Sequence, residues 1–145
     1  MSILACSRQN VVSAEPDATI SRIIQLMQEK SVGSVVITDL DLPVGIITDR
    51  DILLRVIAEK MNPDETFVRE VMTRDPVMIR EDTGVYEAIR ILEGKWFRRL
   101  PIVDDQGILK GIVSIDDLMR LLIDELSAIS SILKEQSPTI TTAGG

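Results

Sequence analysis

A chain of 145 residues with a net charge of −7 and no histidine has room for one compact domain or for two small repeats sharing a core, since domains commonly run to about 100–150 residues. The missing imidazole and the single cysteine, Cys6, exclude Ser-His and Cys-His nucleophiles, an intrachain disulfide and zinc held by His or Cys, and the negative field opposes polyanions, so no nucleic-acid partner is expected. Hydrophobic residues at 45% and charged ones at 27% describe an ordinary globular chain whose apolar runs fall far short of the ~20 residues that cross a bilayer.

No membrane partner is therefore expected. The first residues lack a basic stretch leading into a long apolar segment, so the expected location is cytoplasmic. Cys6 has no obvious base beside it and is given no redox role.

In chain order, a short strand at Val11-Val12-Ser13 leads through the helix-starting stretch Pro16-Asp17-Ala18-Thr19. Ile20, Ile23, Ile24 and Met27 then have the i, i+3, i+4, i+7 spacing of one helix face. Two β-rich runs follow, Ser34 to Thr38 and Val44 to Thr48, around a turn bearing Asp and Pro, as in a hairpin. Ile52, Leu53, Val56 and Ile57 form a second apolar helix face.

Met61-Asn62-Pro63-Asp64-Glu65-Thr66 breaks the helical pattern and marks a linker. After it the same order returns: a strand at Val77-Met78-Ile79, a helix start at Glu81-Asp82-Thr83-Gly84 and a helix face at Val85, Ala88, Ile89 and Leu92. Strands from Arg99 to Val103 and from Lys110 to Ser114 are joined through Gln106-Gly107, and Leu118, Met119, Leu122 and Ile123 close the copy. The offset between copies changes by one residue inside the hairpin turn, where an insertion disturbs few buried contacts.

The expected organisation is thus a tandem repeat of strand, helix, strand, strand, helix: a first repeat over 6–60, a linker over 61–71 and a second repeat over 72–126. Residues 127–145 are expected to be a helix extension and a disordered tail. Leu126, Ile129, Ile132 and Leu133 continue an apolar face into that extension, read as a longer helix lying on its own domain, with a subunit contact as the alternative. Trp96 beside Phe97 reads as packing rather than as a base stacker.

In both copies the third strand enters the second helix through a hydroxyl-x-x-carboxylate string, Thr48-Asp49-Arg50-Asp51 and Ser114-Ile115-Asp116-Asp117. First-turn N–H groups and the helix dipole can receive a phosphate at such a corner. An Asp three residues on offers two acceptor oxygens to a ribose diol. The same string is also a capping box that merely seals a helix end, and recurrence alone does not separate the two roles.

The strings Gly45-Ile46-Ile47-Thr48-Asp49-Arg50-Asp51-Ile52 and Gly111-Ile112-Val113-Ser114-Ile115-Asp116-Asp117-Leu118 resemble the G-h-h-S/T-x-x-D-h signature of CBS (cystathionine β-synthase) domains. Phe97-Arg98-Arg99-Leu100-Pro101-Ile102-Val103-Asp104 and Val32-Gly33-Ser34-Val35-Val36-Ile37-Thr38-Asp39 resemble the family's other hallmark. The resemblance implies an α/β (α+β) fold, a stand-alone Bateman module of two βαββα repeats packed sheet to sheet about a pseudo-twofold axis. A flat homodimer is implied too, with AMP, ADP or ATP, and also S-adenosylmethionine or NAD-like molecules, as ligands of the clefts between repeats.

Carried over residue by residue, the resemblance implies a first cleft of Thr48, Arg50 and Asp51 with Met78, Ile79, Phe97, Arg98 and Arg99. It implies a second of Ser114 and Asp117 with Val12, Ser13, Val32, Gly33 and Ser34. Arg50, Arg98 and Arg99 make the first the expected strong phosphate site, whereas Asp116, Gly33 and Ser34 stand at the matching places of the second. The expected function is a non-catalytic adenylate sensor that signals to a separate regulated protein, with no cofactor and no metal. The alternative is a dimeric scaffold whose clefts are vestigial. No activated nucleophile, P-loop or metal-ligand cluster is visible in the sequence, so an enzyme is not expected.

Overall fold

The computed structural model describes residues 2–95 and 97–136. Trp96 and the expected tail from Ser137 to Gly145 lie outside the described residues. Among the described residues the structure is mixed α+β, with two sheets and four α-helices.

In the first repeat, β1 (Ser13–Ala14) pairs in parallel with β2 (Ser34–Asp39), which forms an antiparallel hairpin with β3 (Leu42–Thr48). Between β1 and β2 runs α1 (Ile20–Lys30), capped by Thr19, whose Oγ1 accepts from the Arg22 N–H at 3.2 Å. Its apolar spacing buries Ile20 and Ile23 completely. After β3, α2 (Asp49–Ile52) passes into a π-helical stretch, Leu53–Ile57, and buries Ile52 and Val56. A further strand, β4 (Thr73–Arg74), adds antiparallel to β3 and completes a four-stranded sheet in the order β1-β2-β3-β4.

The second repeat has β5 (Ile79–Arg80), α3 (Val85–Leu92), β6 (Arg99–Val103), β7 (Leu109–Ser114) and α4 (Ile115–Gln136), with sheet order β5-β6-β7. The order of elements is the one the periodicities predict, with β4 as an additional strand between the copies. The short strands sit slightly later than expected, at Ser13 and Ile79 rather than Val11 and Val77.

The lead-in segments correct the expected organisation. Val68 and Val71, placed in the linker by the sequence reading, are buried in the first core with Ile20, Ile37 and Ile47. Ile3, which precedes the expected start of the first repeat, is buried in the second core with Leu100, Ile102 and Val113. Arg8 exchanges two 3.0 Å backbone hydrogen bonds with Ile112 of β7, just as β4 pairs with β3. Each repeat therefore lends its lead-in to the other. The edge strands β3 and β7 would otherwise present unpaired N–H and C=O groups, and the exchange satisfies them.

The glycine that opens each signature string makes room for this exchange. A Cβ on Gly111 would lie 2.8 Å from Ser7 Oγ and 3.1 Å from the Arg8 carbonyl oxygen. One on Gly45 would meet the Met72 side chain, 2.9 Å from Cγ. The hairpin tips touch as well, the Leu109 N–H donating to the Asp41 carbonyl at 3.0 Å.

In the second hairpin Asp104 Oδ1 accepts from the N–H groups of Gln106 at 2.9 Å and Ile108 at 3.0 Å. Lys110 Nζ lies 3.7 Å from its other oxygen. Donation from Ile108, with that from Gln106 and the Lys110 charge, holds the Asp104 carboxyl below its ordinary range.

The final helix departs from the expectation that it lies on its own domain. Leu126, Ile129, Ile132 and Leu133 are 66%, 54%, 50% and 60% exposed. With Met119, Leu122 and Ile123, also exposed, they form a stripe along α4, because Met119, Leu122, Leu126, Ile129 and Leu133 follow an alternating three-four spacing. Among the described residues nothing covers it beyond the first turns.

Candidate functional site

Two cavities lie at the strand-to-helix corners. The first, of 670 Å3, brings Thr48, Arg50 and Asp51 of one repeat together with Phe97, Arg98 and Arg99 of the other. The second, of 300 Å3, brings Ser114 and Asp117 together with Val12, Val32, Gly33 and Ser34. Ligand pockets run from about 300 to 1,000 Å3, so the first has ample room for a nucleotide and the second is at the lower bound.

Three expected residues do not line these cavities. Ala14 and Ile79 occupy equivalent places, paired with Ile37 and Ile102 beside Gly45 and Gly111, and Ser13 stands one position earlier, where it is exposed. Side chains alternate across a strand, and the Ile79 side chain is buried in the second core instead. Met78 is 40% exposed and does not line the first cavity, whose wall is supplied by Val77, with Ile46, Leu54 and Pro76.

The corner itself is built as a capping box in both copies. Thr48 Oγ1 accepts from the Asp51 N–H at 3.1 Å, and Asp51 Oδ2 accepts from the Thr48 N–H at 2.9 Å. Ser114 Oγ and Asp117 Oδ2 make the matching pair, each at 3.1 Å. Capping does not exhaust these groups. A carboxylate has about four lone-pair positions, and one bond to Oδ2 leaves the rest to a further donor.

The two aspartates differ in what else they meet. Asp51, with 17% of its side chain exposed, has Arg55 Nη2 at 3.3 Å from Oδ1. Arg55 Nη1 also donates to the Val71 carbonyl at 2.9 Å and to Thr73 Oγ1 at 3.0 Å. The guanidinium thus ties the carboxylate to the exchanged strand. Leu121 stands at the matching place in α4, and the neighbouring Arg120 lines the second cavity instead.

The charge contrast expected between the clefts is not what the structure displays. Arg50, Arg55, Arg98 and Arg99 face Asp49, Asp51 and Asp75 in the first. Arg8, Arg99 and Arg120 face Asp116 and Asp117 in the second. Each lining carries one more arginine than aspartate. The sequence reading missed Arg8, because the exchanged lead-in delivers it from outside the expected repeat, and Arg120, because its position on the helix differs between the copies. Arg55 had a local signal in its i,i+4 spacing from Asp51. Thr73, Asp75 and Pro76 had none, since β4 belongs in sequence to the second repeat and in space to the first.

Arg98 Nη2 lies 3.2 Å from Asp116 Oδ1, so a side chain of the first cavity is paired with one of the second. Arg99 lines both. Among the described residues no group of three or more His, Cys, Asp or Glu side chains could hold a metal ion, and no helix is long and apolar enough to cross a membrane.

A protein of Methanopyrus kandleri is 39% identical over 122 residues, which are 83% of this chain and 62% of that protein, so the chain spans somewhat under two thirds of that relative. A CBS-domain protein of Burkholderia ambifaria superposes with a TM-score of 0.77 at 25% identity, covering 86% of this chain and 95% of the other. The pair protein CBSX2, known from Arabidopsis thaliana, superposes in its complex with AMP with a TM-score of 0.72 at 27% identity, over 85% and 96% of the two chains. The model of the CBS domain matches twice, at residues 3–58 and 68–124, and the chain belongs to the CBS-domain family.

Proposed function

We propose that the chain is a non-catalytic regulatory module that binds an adenosine phosphate, AMP, ADP or ATP, in the first cleft and signals its level to a separate protein. The observation that carries this reading is the meeting of Thr48 and Asp51 from one repeat with Arg98 and Arg99 from the other around 670 Å3. In this reading the remaining acceptor capacity of Asp51 takes the ribose hydroxyls, and the arginines neutralise the phosphate. The apolar wall of Ile46, Leu54, Val77 and Phe97 suits the base. The AMP complex of CBSX2 supports adenosine as the ligand class, with S-adenosylmethionine and NAD as other members of that class. Met78, Ile79 and Ser13 are left out of the proposed site.

Transmission to a partner requires that the ligand prefer one arrangement of the repeats over another. The exchanged strand is suited to this, because Arg55 links Asp51 to Val71 and Thr73. A homodimer is part of the same reading, with the exposed stripe of α4 as its seam. A cytoplasmic location also belongs to it, since a chain with one cysteine suits a reducing compartment. The competing reading, a dimeric scaffold with vestigial clefts, is favoured by that same stripe.

Calorimetric titration with AMP, ADP, ATP, S-adenosylmethionine and NADH separates the two. The sensor reading expects an adenosine phosphate to bind and Asp51→Ala to abolish the tighter step. A ligand at a hundred times its Kd would raise stability by about 2.7 kcal/mol. Binding that survives Asp51→Ala and disappears in Asp117→Ala reverses the assignment of the clefts. No binding by any of the five leaves the scaffold.

A further inference from the structure

We propose that the two clefts draw on one set of cations, so that an anion held in one weakens the hold of the other. The inference rests on the nucleotide reading above and concerns its regulation. Arg99 lines both cavities, and one guanidinium can close on one phosphate at a time. Arg98 lines the first cavity, yet its Nη2 pairs at 3.2 Å with Oδ1 of Asp116, which lines the second.

That pair is open to solvent, with 63% and 70% of the two side chains exposed. Exposed ion pairs contribute little, whereas a phosphate brings roughly −1.5 to −2 charges and three strong acceptors. A phosphate in the first cleft therefore takes Arg98 from Asp116 at little cost. The Asp116 carboxylate is then left at the second cleft without its counter-charge, where it repels another phosphate.

Both effects have the same sign. Filling the first cleft removes Arg99 from the second and unmasks Asp116 there. Arg50 and Arg55 line only the first cavity, and Arg8 and Arg120 only the second, so they set the affinity of one cleft each and carry no coupling. Linkage makes the effect reciprocal. The module would then respond to nucleotide over a wider concentration range than two independent sites of equal affinity.

The test is calorimetric titration of the full chain with AMP, and in parallel with ATP, in wild type and four variants. Wild type is expected to bind in two steps, the second weaker by about five-fold or more. In Asp51→Ala, which disables the first cleft, the second is expected to bind more tightly than the wild-type second step, by the coupling factor alone. Asp116→Asn should narrow the gap between steps. Arg99→Gln should weaken both, and Arg120→Gln one alone.

If the second cleft has the same affinity in Asp51→Ala as in wild type, or if Arg99→Gln alters a single step, the clefts are independent and the coupling is overturned while the nucleotide reading stands. If neither nucleotide binds wild type, both are overturned. Should Asp51→Ala fail to fold by circular dichroism, the Arg99→Gln and Asp116→Asn titrations decide the matter between them.

Discussion

Arg55 holds Asp51 from four residues away, Nη2 to Oδ1 at 3.3 Å, and with its other nitrogen holds Val71 and Thr73 of the exchanged segment. The carboxylate at the first corner is thereby oriented by three elements at once: its own cap, the helix that follows and the strand lent by the other repeat. Arg55→Ala is expected to cost about 1–3 kcal/mol in urea unfolding, because it removes the donor of the part-buried Val71 carbonyl and the partner of Asp51 Oδ1. Arg55→Lys, which keeps the charge and loses the fork, should fall between. An unchanged unfolding midpoint in Arg55→Ala would contradict this role.

The exchange of lead-ins predicts an asymmetry between two glycines. In Gly111→Ala the new methyl meets the Arg8 carbonyl, which is held by its own hydrogen bond to β7. In Gly45→Ala it meets the side chain of Met72, which has rotatable bonds with which to yield. Both variants should be less stable than wild type, Gly111→Ala by about 1–3 kcal/mol and Gly45→Ala by less. Chemical denaturation of the pair checks the order, and equal losses would mean that Met72 cannot move.

Asp104 predicts an acid-sensitive contribution to folding. Its carboxyl is held low in the folded protein, first by the Ile108 N–H and then by Gln106 and Lys110. A depressed folded value means that the group stabilises above the ordinary carboxylate range, and that this contribution is lost as pH falls through the depressed value. Asp104→Asn keeps an acceptor and removes the charge. The thermal midpoints of wild type and Asp104→Asn should therefore differ near neutrality and converge in acid. A difference that stays constant with pH would assign the effect to something other than ionisation.

The α4 stripe predicts self-association. Seven large apolar side chains between Met119 and Leu133 are each at least 41% exposed, and exposed apolar side chains gathered on one helix face are a mark of interfaces. Pairing two such helices is a route to the ~1,200–2,000 Å2 of a stable contact. Leu126→Asp with Ile129→Asp should shift the protein from dimer to monomer in sedimentation velocity without loss of helical signal beyond α4, since neither side chain belongs to either core. A wild-type monomer at tens of micromolar would remove the dimer from the proposed function.

The corner strings show how far local reading reaches. Thr48 to Asp51 and Ser114 to Asp117 could be read as caps from their spacing, and caps they are, because a capping box involves residues only three apart. The sheet hairpins and helix faces were legible for the same reason. Ser13 and Ile79 fall outside the two cavity linings, and spacing gives no sign of it, because which face of a two-residue strand meets a cleft depends on its partners, Val36 and Ile102.

The sequence by itself determined the repeat, the order of its elements and the residues that cap each corner, since all of these are written in separations of two, three or four positions. Only the tertiary structure decided that Ile3 and Val68 change sides, that Arg8 and Arg120 supply the second cleft, and that Arg98 and Asp116 meet. Those relations join residues far apart in the chain, and their energies depend on which surfaces are brought together. Periodicity carries no trace of them.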